Sequence, residues 1–378
     1  MDFRYSEEQQ SLRRLAGQIL GDRFSDEGRR EFSRSGQSYD PPLWATLARA
    51  GLLGTAIAEE HGGTGLGLTE LCLLLEEQGR TLAVAPLLAT LVLGAMPVQK
   101  FGSTAQRAAL LPRVVSGEIL LTAALEETGG GDPRQPAVKA SANRPGWRLK
   151  GVKSCVPYAA QARAILVAAR AGRNDMAVFM IDPAAKGVCI EPQASSGGEP
   201  QAQVTLTNVQ VSAADLLGGV HDGEAIVRWI VERGQVALAA LQCGLMAEAL
   251  RRAAVYTRER VQFGRPTGSF QSVQHRLADA YIDLEALRSV YLRAVWALEN
   301  EIPATAEVAA AKWWAALGGH RVTHTAQHLH GGLGADLDYP IHAFLLRAKQ
   351  IELALGGATP MLAKIGEQLA SGAVRPMT

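Results

Sequence analysis

The 378-residue chain is poor in the features that mark several classes of protein. Cysteine occurs only at Cys72, Cys155, Cys189 and Cys243. No pair has CxxC or metal-ligand spacing, so the four read as ordinary buried thiols rather than a disulfide framework or a zinc site. Charge of one sign is also lacking. Lys plus Arg number 38 and Asp plus Glu 37, a balance without the basic footprint that nucleic acid or a membrane surface requires. A local basic pocket for an anionic cofactor stays open. The N-terminus has no basic segment followed by an apolar one, so no signal peptide is expected. Residues 81–99 carry no charge, but Pro86, Gly94 and Pro97 interrupt them. They read as buried helix broken by a turn and not as a membrane span. HExxH and GxSxG are both absent. The cluster HGGTGLG at 61–67 does not meet a phosphate-loop pattern and reads as a turn. A soluble chain in a reducing, cytoplasmic compartment is expected.

What is present divides into three regions. Residues 1–119 show helical periodicity, with Ser6 and nearby Glu8 opening a first helix and Pro41 and Pro42 opening another. A helix beginning at Thr104 ends before Pro112 or shortly after it. Residues 120–220 change to short apolar or alternating runs separated by Gly, Pro, Asn and Asp, the pattern of antiparallel strands in a small barrel or sandwich. GVKS at 151–154 looks like a strand start. Residues 221–378 return to long periodic segments rich in alanine, which predicts a close-packed helical bundle of four-helix type.

Three places offer chemistry. In TRERVQFGRPTGSFQSVQHRLAD, residues 257–279, Arg258, Arg260 and Arg265 flank a turn between two helices. Their forked donors suit phosphate oxygens. Phe263 and Phe270 either pack on a flat group or staple the helices. The same block also reads as a solvated connection. In QHLHGGLGADLDYP, residues 327–340, Gly331, Gly332 and Gly334 permit close backbone approach to a ligand. His324, His328, His330 and His342 raise the question of a metal. No matching carboxylate or cysteine set accompanies them, so no metal is expected. The third place, LEETGGGDP at 125–133, presents backbone amides to an anion or is a simple surface loop.

In their order along the chain these motifs are similar to those of the acyl-CoA dehydrogenase family, and the resemblance extends over nearly the whole length. RVQFGRPTGSFQSVQHRLAD carries it most strongly, then QHLHGGLGADLDYPIHAFLLRAK. KFGSTAQRAALLPRVVSGE at 100–118 and GLLGTAIAEEHGGTGLG add to it, although Ala58 stands where proline is common. The resemblance implies an acyl-CoA dehydrogenase-like fold: an N-terminal helical domain, a middle antiparallel β domain and a C-terminal four-helix bundle. It implies FAD at a subunit interface of a dimer or tetramer, homomeric or heteromeric. Arg260, Phe263 and Gln271 would meet the FAD diphosphate or adenine of a partner subunit, and Gln327, Gly331 and Gly332 would support the dinucleotide. An acyl-CoA thioester would be the substrate, losing an alpha proton to a glutamate and a beta hydride to the flavin. Electrons would pass on to an electron-transfer flavoprotein.

The departures fall on the chemistry. The family's usual catalytic glutamate corresponds to Leu355, which cannot accept a proton. Some members carry the base on the first helix of the C-terminal domain, where the matching position is Gly234. Glu232 lies two residues away, on a different helix face, and is the remaining candidate base. Glu352, three residues before Leu355, is another carboxylate near the site. Glu127 replaces a family proline, Cys155 an aromatic, and Pro157 a hydroxyl donor. Two readings follow: an acyl-CoA dehydrogenase acting through Glu232, or a non-catalytic subunit of a heteromeric enzyme, as in pairs acting on sterol side-chain CoA thioesters, that completes the FAD site while its partner supplies the base.

Overall fold

The computed structural model describes residues 3–143, 145–172 and 175–372. Six α-helices come first: α1 (Glu7–Arg23), α2 (Asp26–Ser35), α3 (Pro41–Arg49), α4 (Leu68–Thr81), α5 (Met96–Phe101) and α6 (Thr104–Val115). Polar caps set their starts. Ser6 and Gln9 satisfy each other's backbone amides at the head of α1, so the reciprocal partner is Gln9 and not Glu8. Ser25 and Asp40 cap α2 and α3. Helix α6 continues through Pro112 for three more residues before it ends at Val115. The uncharged stretch after α4 contains a wide π-helical segment, Leu88–Ala95, that leads into α5 with Pro97 in its first turn. No described helix is long and apolar enough to cross a membrane.

Among the described residues eight strands follow and form one sheet: β1 (Leu120–Ala124), β2 (Lys139–Asn143), β3 (Gly146–Pro157), β4 (Ala162–Arg170), β5 (Met176–Ile181), β6 (Val188–Gln193), β7 (Gln201–Val211) and β8 (Leu216–Leu217). The order is β6-β7-β3-β2-β4-β5-β8, with β1 also on β4. The sheet is mixed and not purely antiparallel, because β1 and β2 both run parallel to β4. A parallel pair needs a long connection, and the β2–β3 segment between β1 and β4 supplies it. GVKS lies in the middle of β3 and not at a strand start. Leu149, Val156, Ile165, Val167, Phe179 and Val204 form the centre of the sheet's core.

The chain then runs through α7 (Gly223–Glu259), a two-residue ladder of β9 (Val261–Gln262) with β10 (Arg265–Pro266), α8 (Gln271–Glu299), α9 (Thr305–Leu329), α10 (Ile341–Leu353) and α11 (Ala358–Ala370). By contact the chain divides into two compact units. A helical unit gathers the described residues of Met1–Gly36, Leu68–Ala83 and Gln235–Thr378, and a β unit gathers Gln37–Gly67 and Val84–Gly234.

In the helical unit α8 packs along α9, α9 receives α10 and α11, and α1 packs on α4. Helices α4 and α7 touch backbone to backbone. A Cβ on Gly79 would stand 1.9 Å from the Leu241 carbonyl oxygen, and one on Gly244 would stand 1.8 Å from that of Glu76. Only glycine fits at either place. Beside this crossing the buried Glu76 pairs with Arg13 at 3.0 Å and accepts the Tyr291 hydroxyl. A buried carboxylate stays charged only with such partners. In the β unit, the π-helical segment packs on β1, and a Cβ on Gly94 would stand 2.4 Å from the Leu121 side chain.

Candidate functional site

In the helical unit, the 260–271 block forms a projecting turn. Thr267 N–H donates to the Arg260 carbonyl, and Arg265 pairs with Gln262 across the small ladder. Phe263 sits in the left-handed region at φ 53° with 92% of its surface exposed, next to Gly264 at φ 78°. Its ring meets Phe270 edge-on at 6.2 Å, and the Arg265 guanidinium lies 4.1 Å from the Phe270 ring centre. The two phenylalanines thus meet across the turn while Phe263 keeps an open face. Arg260 and Gln271 are exposed, Gln271 being the first residue of α8, a helix start with no side-chain cap. An exposed guanidinium and an uncapped helix start each offer donors of the kind a diphosphate takes.

The 327–335 segment lies at the end of α9. Gly331 is left-handed at φ 61°, and a side chain added at Gly332 would meet nothing within 4 Å, so this backbone stays open. Gln327 is half-buried with its Oε1 enclosed and unbonded. Its side chain lies under Gly334, where a Cβ would come within 2.9 Å of Gln327 Cγ. The neighbouring His328 is the exposed one, with its Nδ1 2.6 Å from Arg276. Gln327, His328 and Arg276 line a pocket of about 370 Å³ with His324, Thr325 and Leu345. His330 is buried between Tyr256, stacked at 4.4 Å, and Tyr339, and its Nδ1 lies 2.7 Å from the Ala326 carbonyl. Burial holds its pKa below the ordinary value, which favours neutral imidazole as an aromatic spacer.

Leu355 follows α10 in a left-handed conformation at φ 53°, ahead of Gly356 at φ 102°. Two side chains hold this loop. Gln235 Nε2 donates to the Leu355 carbonyl at 2.8 Å. Lys312, wholly buried, donates from Nζ to the carbonyls of Ile351 at 3.0 Å and Glu352 at 2.9 Å. The ammonium therefore sits at the negative end of α10. Glu352 directs its carboxylate to Lys349 at 2.6 Å.

In the β unit, Glu232 lies half-buried on α7. The Arg134 guanidinium, gripped by Asp132, is within electrostatic reach of both Glu224 and Glu232, and these carboxylates hold its pKa up, the Asp132 hydrogen bond most of all. Glu127 accepts from Ala137 N–H at 2.7 Å and Val138 N–H at 3.2 Å, and lies 2.8 Å from Lys153 Nζ. Lys153 is wholly buried. Burial pulls its pKa down against the opposing effect of Glu127. Burial would raise the Glu127 pKa, but Lys153 and the two amides outweigh it and leave a net lowering. Strand β3 bulges between Lys153 and Val156, with Cys155 left-handed at φ 53°. Cys155 N–H donates to Gln193 Oε1 at 2.8 Å, Ser154 N–H to the Glu126 carbonyl at 2.9 Å, and the Pro157 carbonyl accepts Thr122 Oγ1 at 2.7 Å. At this stretch of strand the backbone donors are already engaged within the chain.

The resident residues fit the diphosphate end of FAD better than its ring system. Arg260, Gln271 and the backbone at Gly331 and Gly332 are exposed, and guanidinium and amide donors are of the type that phosphate oxygens accept from. Cys155 and Pro157 offer no free amide to a flavin ring. Sequence reasoning missed Gln235 and Lys312, which act through distant backbone carbonyls and leave no local motif. It also missed the Glu127–Lys153 pair. A lysine two and four residues from Gly151 and Leu149 on the same strand face was the available signal.

The comparisons agree along the chain. Residues 6–118 match the acyl-CoA dehydrogenase N-terminal domain, 122–209 its middle domain and 221–370 its C-terminal domain. Acyl-CoA dehydrogenase FadE27 of Mycobacterium tuberculosis is 37% identical, over 98% of this chain and 99% of its own length. Among solved structures, the ChsE4-ChsE5 complex of Mycobacterium tuberculosis is 38% identical with a TM-score of 0.92, covering 100% of both chains. A Tcur3481-Tcur3483 steroid ACAD variant is 43% identical with a TM-score of 0.90, covering 97% of this chain and 99% of that one. The chain belongs to the acyl-CoA dehydrogenase family, FAD-binding oxidoreductases of acyl-CoA thioesters.

Proposed function

We propose that this chain works as the FAD-completing subunit of a heteromeric acyl-CoA dehydrogenase whose partner supplies the catalytic base. The observation that carries the reading is Leu355, held at the position that corresponds to the family's glutamate by Gln235 and Lys312. A leucine offers no proton acceptor, whatever the geometry of its loop. The alpha proton of a thioester is weakly acidic, so its removal requires a positioned base, a polarised carbonyl and exclusion of water. FAD, when bound, accepts the beta hydride. This chain's part is to grip the dinucleotide through Arg260 and Gln271, with Phe263 against a flat group and Gly331 and Gly332 giving close backbone approach. Gln327 supports the 331–335 turn from beneath.

Two neighbours support this division of labour by their names: one is a complex of ChsE4 with ChsE5, and the other is a paired steroid ACAD. They point to a steroid-type acyl-CoA as substrate. An electron-transfer flavoprotein in the cytoplasm would take the electrons. The second reading, a self-sufficient enzyme, rests on Glu232, a half-buried carboxylate on α7.

The experiment is to purify the chain alone and with its candidate partner, measure bound flavin, and follow bleaching of the flavin absorbance on adding acyl-CoA. Bleaching only in the mixture is expected. Turnover by the chain alone that disappears in Glu232→Gln would overturn the subunit reading.

A further inference from the structure

We propose that the helical unit holds a second anion site, sharing no residue with the dinucleotide block, that binds a small singly charged oxyanion, a carboxylate or a phosphate, on Arg29. A cavity of about 280 Å³ opens between α1, α2, the end of α4, α7 and α10. Its acidic walls are already paired. Glu77 lies 2.8 Å from Arg13 and 3.1 Å from Arg80. Glu248 holds Arg251 at 2.7 Å and Arg252 at 2.8 Å, and Arg252 also reaches Asp26 at 2.8 Å. Arg29 lines the same cavity half-buried, and its guanidinium makes no hydrogen bond or ion pair among the described residues. Asp26 attracts it only through space, while Arg252 and Arg30 repel it.

An arginine does not shed its proton at ordinary pH, so a partly desolvated guanidinium without a partner is an open position for an anion. Its planar fork matches two oxygens of a carboxylate or phosphate. The cavity lies just below the range of about 300–1,000 Å³ typical of drug-sized ligands, so it suits an occupant smaller than those. The paired carboxylates around it disfavour a polyanion. Gly21 keeps the α1 wall open, since a Cβ there meets nothing within 4 Å.

The test uses the chain mixed with its candidate partner and saturating FAD at about pH 6, where phosphate is largely singly charged. Melting temperature is followed while sodium phosphate, sodium acetate or sodium chloride is titrated at matched ionic strength. A saturating rise with phosphate or acetate, and none with chloride, is expected. The salt that saturates at lower concentration identifies which oxyanion the site prefers. In Arg29→Gln the response should weaken by about tenfold or more in apparent affinity, as loss of a charge-assisted pair predicts. Gly21→Met, which plugs the cavity without touching a charge, should abolish it. Arg260→Gln should leave it unchanged, which separates this site from the dinucleotide block. No saturating response in the wild-type chain, an equal response to chloride, or a response that survives Arg29→Gln or Gly21→Met would each overturn the proposal.

Discussion

Lys153 and Glu127 show what one buried pair does at the scale of single residues. Neither has an apolar role, yet Lys153 is wholly enclosed on the inner face of β3, and its ammonium meets a carboxylate that two backbone amides also hold. Removing the carboxylate leaves the wholly buried ammonium uncompensated, so Glu127→Ala should cost about 3–5 kcal/mol by urea denaturation. The pH dependence follows from the direction of the Glu127 shift. Its folded pKa is lowered, so its contribution is complete above the unfolded carboxylate value of about 4.3 and is lost as pH falls through the folded value. Urea midpoints taken between pH 7 and pH 3 should fall on the acid side in the wild-type chain and fall less steeply in Glu127→Gln. An equal slope in both would show that the pair does not contribute to acid stability. The sequence alone marks Glu127 as a departure from a family proline and marks Lys153 as a strand residue. It does not show that they meet, because strand register sets which side chains face each other.

At the scale of elements, the crossing of α4 and α7 limits what the helical unit tolerates. Gly79→Ala places a methyl group 1.9 Å from a backbone oxygen that belongs to a packed helix. Thermal or chemical denaturation of the full chain should show a loss of about 1–3 kcal/mol or more, since overpacked cores relax only by shifting backbone. Start signals placed three helix beginnings within a residue, Ser6 ahead of α1, Pro41 at α3 and Thr104 at α6, while α2 was missed. Strand existence was legible from the alternating runs. Strand direction was not, because alternation reports which face is buried and is silent on whether a neighbour runs parallel. The parallel pairing of β1 with β4 depends on a crossover that no local pattern encodes. The π-helical turn after α4 was likewise hidden, since an uncharged apolar run looks alike in either helical form.

At the scale of the whole molecule, the family was legible because its motifs lie in turns and helix starts, where residue type is dictated by backbone geometry and charge. Arg260 tests the dinucleotide assignment there. Arg260→Gln, mixed with the partner chain, should retain FAD about tenfold less tightly, read as flavin lost on gel filtration, while the far-ultraviolet circular dichroism stays the same. Undiminished flavin retention would remove Arg260 from the grip. What the sequence could not supply was the reason the Leu355 loop persists without a glutamate. Its shape is imposed from outside, by Gln235 on one carbonyl and Lys312 on two others. Residue 355 is therefore a passenger on its own loop. Two duplicated chains built on this frame can part ways at that one position, one keeping the chemistry and the other discarding it, without either passing through a form that fails to fold.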